Sequence, residues 1–134
     1  MGLFSFLKGH KRKRVLVVED DVPLRKFISE RLTENGIDVV ETGDGARALD
    51  LVTEYSPDSI VLDVMLPGKN GMQILSELRA GNNDVPVVVL TTLSGEGGLK
   101  LEATKHNAVF LNKADTALEV VIDTVLRHTF EDNA

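Results

Sequence analysis

The chain has 134 residues, 43% apolar and 27% charged, which suits one globular domain and leaves no room for a second of ordinary size. It has no cysteine, so disulfides, thiol catalysis and cysteine-based zinc sites are excluded, and His10, His106 and His128 lack the spacing of a metal site. The net charge of −6 is uneven: residues 1–14 hold five basic and no acidic side chains, so the remaining 120 residues carry −11, which argues against direct nucleic-acid binding by the body of the chain.

Residues 1–13 read as a basic tail. Leu3, Phe4, Phe6 and Leu7 come first and Lys8, Lys11, Arg12, Lys13 and Arg14 follow, the reverse of a secretory signal. Phe6 occupies the place where a myristoylation motif needs Ser or Thr. No apolar run is long enough to span a bilayer. The expectation is a flexible, solvated leader on a cytoplasmic protein. The alternative is weak docking of residues 2–14 on anionic lipid or on a partner.

Beyond the tail, Val15–Val18 is a continuous β-branched and apolar run, as in a strand buried on both faces, and it ends in Glu19-Asp20-Asp21. Leu24, Phe27, Ile28, Arg31 and Leu32 mark one face of a helix over 22–34, closed by Asn35-Gly36. Ile37–Val40 reads as a short second strand. Asp44 is placed to cap a helix carrying Ala46, Ala48, Leu49 and Val52. Pro57 precedes a third strand, Ser59–Leu62, which ends at Asp63. Gly71 opens a helix with Ile74, Leu75 and Leu78, and Gly81-Asn82-Asn83 ends it. Val87–Leu90 is the most apolar strand and runs into Thr91-Thr92. Gly95, Gly97 and Gly98 delay the next helix to about Leu99–Lys105. Val109–Leu111 is a fifth strand, and 116–128 a last helix with Leu118, Val121, Ile122, Val125 and Leu126 on its core side. Five strands alternating with five helices give an α/β fold with a parallel sheet covered on both faces.

In such sheets ligands bind beyond the carboxyl ends of the strands. There stand Glu19-Asp20-Asp21, Asp63, Thr91-Thr92 and Asn112-Lys113. Carboxylates brought together repel unless a cation neutralises them, and oxygen ligands beside a phosphate select Mg²⁺. One carboxylate can then attack phosphorus and form an acyl phosphate. Phosphoryl transfer asks mainly for positioning and for charge on the equatorial oxygens. Mg²⁺ serves one oxygen, Lys113 a second and the Thr91 hydroxyl a third. Any one of these residues alone is more often a helix cap or a solvated side chain; the pattern in strand order is specific.

The segments VLVVEDDVPLRKFI, SIVLDVMLPGKNGMQIL, PVVVLTT and VFLNK resemble, over residues 14–129, the response-regulator receiver domains of two-component signalling, the CheY-like superfamily. The resemblance implies a doubly wound, flavodoxin-like sheet of order 2-1-3-4-5 over residues 14–130. It makes Asp63 the phosphoacceptor and Asp20 a direct Mg²⁺ ligand with Asp63 and the backbone carbonyl of Met65, while Glu19 acts through water. It makes Thr91 the switch hydroxyl, Lys113 the phosphate-binding lysine and Phe110 the switch aromatic. Asp21 belongs to the helix start, and Pro67 and Gly71 shape the loop after Asp63. Met65 and Leu93, both apolar, fall where the family tunes the lifetime of the acyl phosphate, which predicts slow autodephosphorylation. Two departures stand out: Ala114 follows Lys113 where the family usually has proline, and Ser94–Gly98 replaces an ordinary helix start.

The implied protein is a signalling switch rather than an enzyme. A sensor histidine kinase or histidine phosphotransfer protein donates to Asp63, and a downstream protein responds. A stand-alone receiver is the first reading, and a receiver fragment of a larger DNA-binding or enzymatic regulator the alternative. A haloacid-dehalogenase-like phosphatase needs an acid two residues after its nucleophile, where this chain has Met65. A binding module that signals without phosphate would not need the acids, Thr91 and Lys113 together.

Overall fold

In the computed structural model, which describes residues 12–92 and 97–131, the apolar run after the basic stretch forms strand β1 (Arg14–Val18). Val15 to Val18 are all buried, so both faces of the strand are covered and the run is continuous rather than alternating. Helix α1 (Val22–Glu34) follows, with Pro23 in its first turn, and Asn35-Gly36 ends it. Then come β2 (Asp38–Thr42), α2 (Gly45–Tyr55), β3 (Ser59–Leu62), α3 (Gly71–Ala80), β4 (Val87–Thr91), α4 (Gly97–Lys105), β5 (Val109–Asn112) and α5 (Leu118–Phe130). All neighbouring strands are parallel, in the order β2-β1-β3-β4-β5.

The pleat divides the strand residues between two cores. Leu16, Val18, Ile60, Leu62, Val87 and Val89 pack with Ala48 of α2, Ile74 and Leu75 of α3 and Ala103 of α4. Val15, Val17, Val61, Val88 and Leu90 pack with Ile28 and Leu32 of α1 and with Val121, Ile122 and Val125 of α5. Truncating a fully buried Leu or Ile here to Ala costs about 2–5 kcal/mol.

Three elements differ from the sequence reading by more than one residue. β2 begins after Ile37, which is buried and whose N–H closes the end of α1 on Leu32 O, and the strand runs on through Glu41 and Thr42. As a half-exposed edge strand it tolerates polar residues that an apolar count stops at. α4 starts at Gly97, two residues early, so helix-breaking composition did not delay it. α5 covers Leu118–Phe130 rather than 116–128, and Leu118, expected on the core side, is 42% exposed. Its buried stripe starts at Val121, one turn further along than Leu118. No described helix is long and apolar enough to cross a membrane. Residues 1–11, most of the expected basic leader, lie outside the described residues.

Candidate functional site

The carboxyl ends of β1, β3, β4 and β5 bring together residues far apart in sequence. The Asp63 N–H donates to Val18 O at 3.0 Å and the Lys113 N–H to Thr91 O at 2.8 Å, so Asp63 and Lys113 each sit one residue past the last rung of a strand pair. Carboxylate oxygens of Glu19, Asp20 and Asp63 lie within 4.8 Å of one another. Lys113 Nζ reaches Glu19 Oε1 at 2.7 Å and Asp63 Oδ2 at 3.2 Å. Asp63 Oδ1 accepts from the Met65 N–H at 3.2 Å, and Glu19 Oε2 from the Asp21 N–H at 3.1 Å.

Burial differs sharply within the acidic group. Glu19 is 1% and Asp63 4% exposed, whereas Asp20 is open to solvent. Burial drives the Glu19 carboxyl up to about 7, against the hydrogen bonds from Lys113 and the Asp21 backbone, and the charge of Asp63 adds to the rise. For Lys113 burial works toward the neutral form, but the hydrogen bond to Glu19 and the charges of Asp63 and Glu19 outweigh it and raise its pKa. One ammonium thus contacts two of the three clustered carboxyl groups. An all-oxygen donor set with surplus negative charge fits a hard divalent ion, and Mg²⁺ accepts a few carboxylates with the rest of its shell from water or phosphate.

Thr91 is fully buried at the end of β4, opposite Asn112 in the register. Phe110 is half-buried on β5 and packs against the core that α2, α3 and α4 cover. The Met65 side chain is 57% exposed. Leu93, the other residue assigned to acyl-phosphate lifetime, lies outside the described residues, as does most of Ser94–Gly98. Asp21 is the residue before α1, without a side-chain cap bond. No cis peptide bond occurs among the described residues, so Lys113–Ala114 is trans.

The loop from Asp63 to Asn70 is shaped by two glycines. A Cβ on Gly71 would lie 2.1 Å from Asp63 O, and one on Gly45 would lie 1.8 Å from Lys69 O. Gly45 also donates its N–H to Pro67 O at 3.0 Å, clamping the loop onto the start of α2. Sequence reasoning named Gly71 but missed Gly45, for which Asp44-Gly45 at a helix start was a faint signal. It also missed Asn70, which caps α3 through the Gln73 N–H, and Arg25. Arg25 Nη1 donates to Glu19 O at 2.7 Å while its Nε pairs with Glu41 at 3.2 Å.

Residues 15–122 match the family model described as response regulator receiver domain. The chain is 42% identical over 78 residues to the response regulator MprA of Mycobacterium sp. strain KMS, covering 58% of this chain and 34% of that one. It is 45% identical over 80 residues to the DNA-binding response regulator MtrA of Mycolicibacterium paratuberculosis, covering 60% and 35%. Each match spans about a third of the length of these curated relatives. Among solved structures, the Francisella response regulator 1452 receiver domain superposes with a TM-score of 0.80 at 33% identity, over 88% of this chain and 97% of that one. The BeF3-activated N-terminal receiver domain of Klebsiella pneumoniae RstA gives 0.78 at 31% identity, over 89% and 100%.

Proposed function

The chain belongs to the response-regulator receiver family, and from that premise we propose that it is a phosphorylation switch with Asp63 as its sole phosphoacceptor. The observation that carries this reading is the meeting of Lys113 with Asp63 and Glu19, residues from three strand ends, beside the exposed Asp20. Met65 N–H holds Asp63 Oδ1, which leaves Oδ2, on the Lys113 side, as the attacking oxygen. Asp63 Oδ2 forms the new bond to phosphorus as the bond to the donor's imidazole nitrogen breaks. The electron pair of that bond stays on the nitrogen. The donor is a phosphohistidine of a sensor histidine kinase or histidine phosphotransfer protein. Asp20, Asp63 and the Met65 carbonyl, with Glu19 through water, would hold Mg²⁺, which offsets charge on the phosphoryl oxygens when bound. Lys113 and the Thr91 hydroxyl serve the other two oxygens. Thr91 turning toward the phosphoryl group lets Phe110 move inward, and the surface of α4, β5 and α5 exchanges partners as a population shift.

Incubation with acetyl phosphate and Mg²⁺, read by intact mass, should add one phosphoryl group. Asp63→Asn should abolish the gain, Asp20→Asn should weaken Mg²⁺ binding, and Lys113→Ala should slow labelling more than it weakens the metal. Labelling of Asp63→Asn at the parental rate would refute the assignment. A second reading, a receiver serving a longer DNA-binding regulator, is favoured by the name and length of the MtrA relative. The acidic charge of this chain therefore does not exclude nucleic acid as a partner of such a regulator. An antibody raised against this domain, used to size the native protein in its source cells, separates this reading from the stand-alone receiver.

A further inference from the structure

β5 ends at Asn112, and Lys113 leaves the sheet with its N–H on Thr91 O at 2.8 Å. One residue later the Ala114 N–H donates to Asn112 Oδ1 at 2.8 Å, and the Asp115 N–H donates to Asn112 O at 3.2 Å. The side-chain bond closes an Asx turn whose ring spans Lys113. Its φ and ψ are therefore held between the two ends, and with them the direction of its Cα–Cβ bond. The side chain that leaves along that bond meets Glu19 and Asp63 at 2.7 and 3.2 Å. A lysine side chain is flexible, and fixing its base reduces the freedom lost when the ammonium enters the site. The turn needs an acceptor at 112 and an N–H at 114. Ala114 supplies that N–H, which a proline would lack.

We propose that Asn112 is a positioning residue for Lys113, its side chain closing the turn that aims the ammonium at Asp63 and Glu19. In this chain a side-chain hydrogen bond does the work of the backbone constraint that a proline after the lysine would impose. The benefit to phosphoryl transfer rests on the function proposed above, but the positioning itself can be read without phosphorylation.

Reductive methylation of the metal-free protein with formaldehyde and borohydride, followed by peptide mass spectrometry, reports how often the Lys113 amine is free. Its side chain is 15% exposed, against 29% for Lys69 and 57% for Lys26, which serve as internal references. Asn112→Ala should speed methylation of Lys113 about fivefold, the population change made by one net hydrogen bond of roughly 1 kcal/mol. Lys69 and Lys26 should be unaffected. Asn112→Asp keeps the acceptor oxygen and should stay near the parental rate. In an Ala114→Pro background, which lacks the donor, Asn112→Ala should add nothing. A parental Lys113 rate in Asn112→Ala overturns the proposal, and so does equal acceleration with Pro at 114. Acetyl phosphate labelling of Asn112→Ala should fall by a similar factor with Mg²⁺ affinity unchanged. A parent protein that takes no phosphoryl group overturns the proposed function and leaves methylation to decide the role of Asn112. Faster methylation with undiminished labelling overturns the link to transfer.

Discussion

Replacing Gly45 by alanine tests whether close backbone approach holds the loop that follows Asp63. The added Cβ would lie 1.8 Å from Lys69 O, 2.9 Å from Lys69 C and 3.1 Å from Lys69 N. All three are backbone atoms, so none can rotate out of the way. Restoring ordinary contact to the carbonyl oxygen requires the two segments to move apart by about 1.6 Å or more. A shift of that size breaks the Gly45 N–H bond to Pro67 O, worth about 1 kcal/mol, and strained repacking adds about 1–3 kcal/mol. The better helix propensity of alanine returns at most about 1 kcal/mol. The net loss should be about 1–4 kcal/mol, a fall in Tm of roughly 3–16 °C. Gly98→Ala is the control: it is also in a helix, but its Cβ meets nothing within 4 Å, so it should gain up to about 1 kcal/mol. Urea unfolding of both variants beside the parent measures the two effects. Because the clamped loop carries Met65, Mg²⁺ affinity should fall in Gly45→Ala and not in Gly98→Ala. A Gly45→Ala protein as stable as the parent, binding Mg²⁺ equally well, would refute the clamp.

Glu19 makes the metal-free protein pH-sensitive. Its carboxyl stands at about 7 in the folded chain against 4.5 ordinarily, so its contribution to stability is full below about pH 4.5 and is lost as pH rises through 7. Mg²⁺ needs the ionised form, so affinity should be about tenfold lower at pH 6 than at pH 8, with proton release seen by calorimetry in buffers of different ionisation enthalpy; a flat profile would show that Glu19 is already charged. At the opposite end of the sheet, Ser59 Oγ and Thr129 Oγ1 are buried 2.7 Å apart, and Thr129 Oγ1 also bonds Val125 O at 2.6 Å. Thr129→Val strands the Ser59 hydroxyl and should cost about 1–3 kcal/mol in urea unfolding, while adding Ser59→Ala should cost less than the sum of the singles. Strict additivity would mean that the two hydroxyls do not depend on each other.

The parts of this molecule legible in its sequence are those whose physics is local. β1, β3 and β4 are covered on both faces, so burial writes itself as unbroken apolar runs, and Asp63 and Thr91 announce themselves where those runs stop. β2 was misplaced because an edge strand carries no such run, and α4 because its glycines contradict the helix it forms. Gly45 was invisible for a different reason: nothing near it in sequence shows that Lys69 O will come to lie against it. The Lys113–Glu19 contact joins residues 94 positions apart, so spacing suggests a shared rim but not which carboxylate is buried. Asn112 reads as an ordinary strand-end residue until the turn it closes is seen.

The division of the interior has a consequence for how this sequence can vary. Neighbours such as Val15 and Leu16 face opposite cores, so the sheet is a partition wall between two compartments of different composition. A volume change in Ile122 must be absorbed by α1, α5 and one face of the wall, while Leu75 answers to α2, α3, α4 and the other. Descendants of this chain can therefore drift on one side without matching changes on the other. Phe110 packs in the α2–α4 compartment, whereas Leu111, its neighbour, packs in the other. A rearrangement of that ring would thus fall first on the side of the sheet that α2, α3 and α4 cover, with α1 and α5 packed on the other.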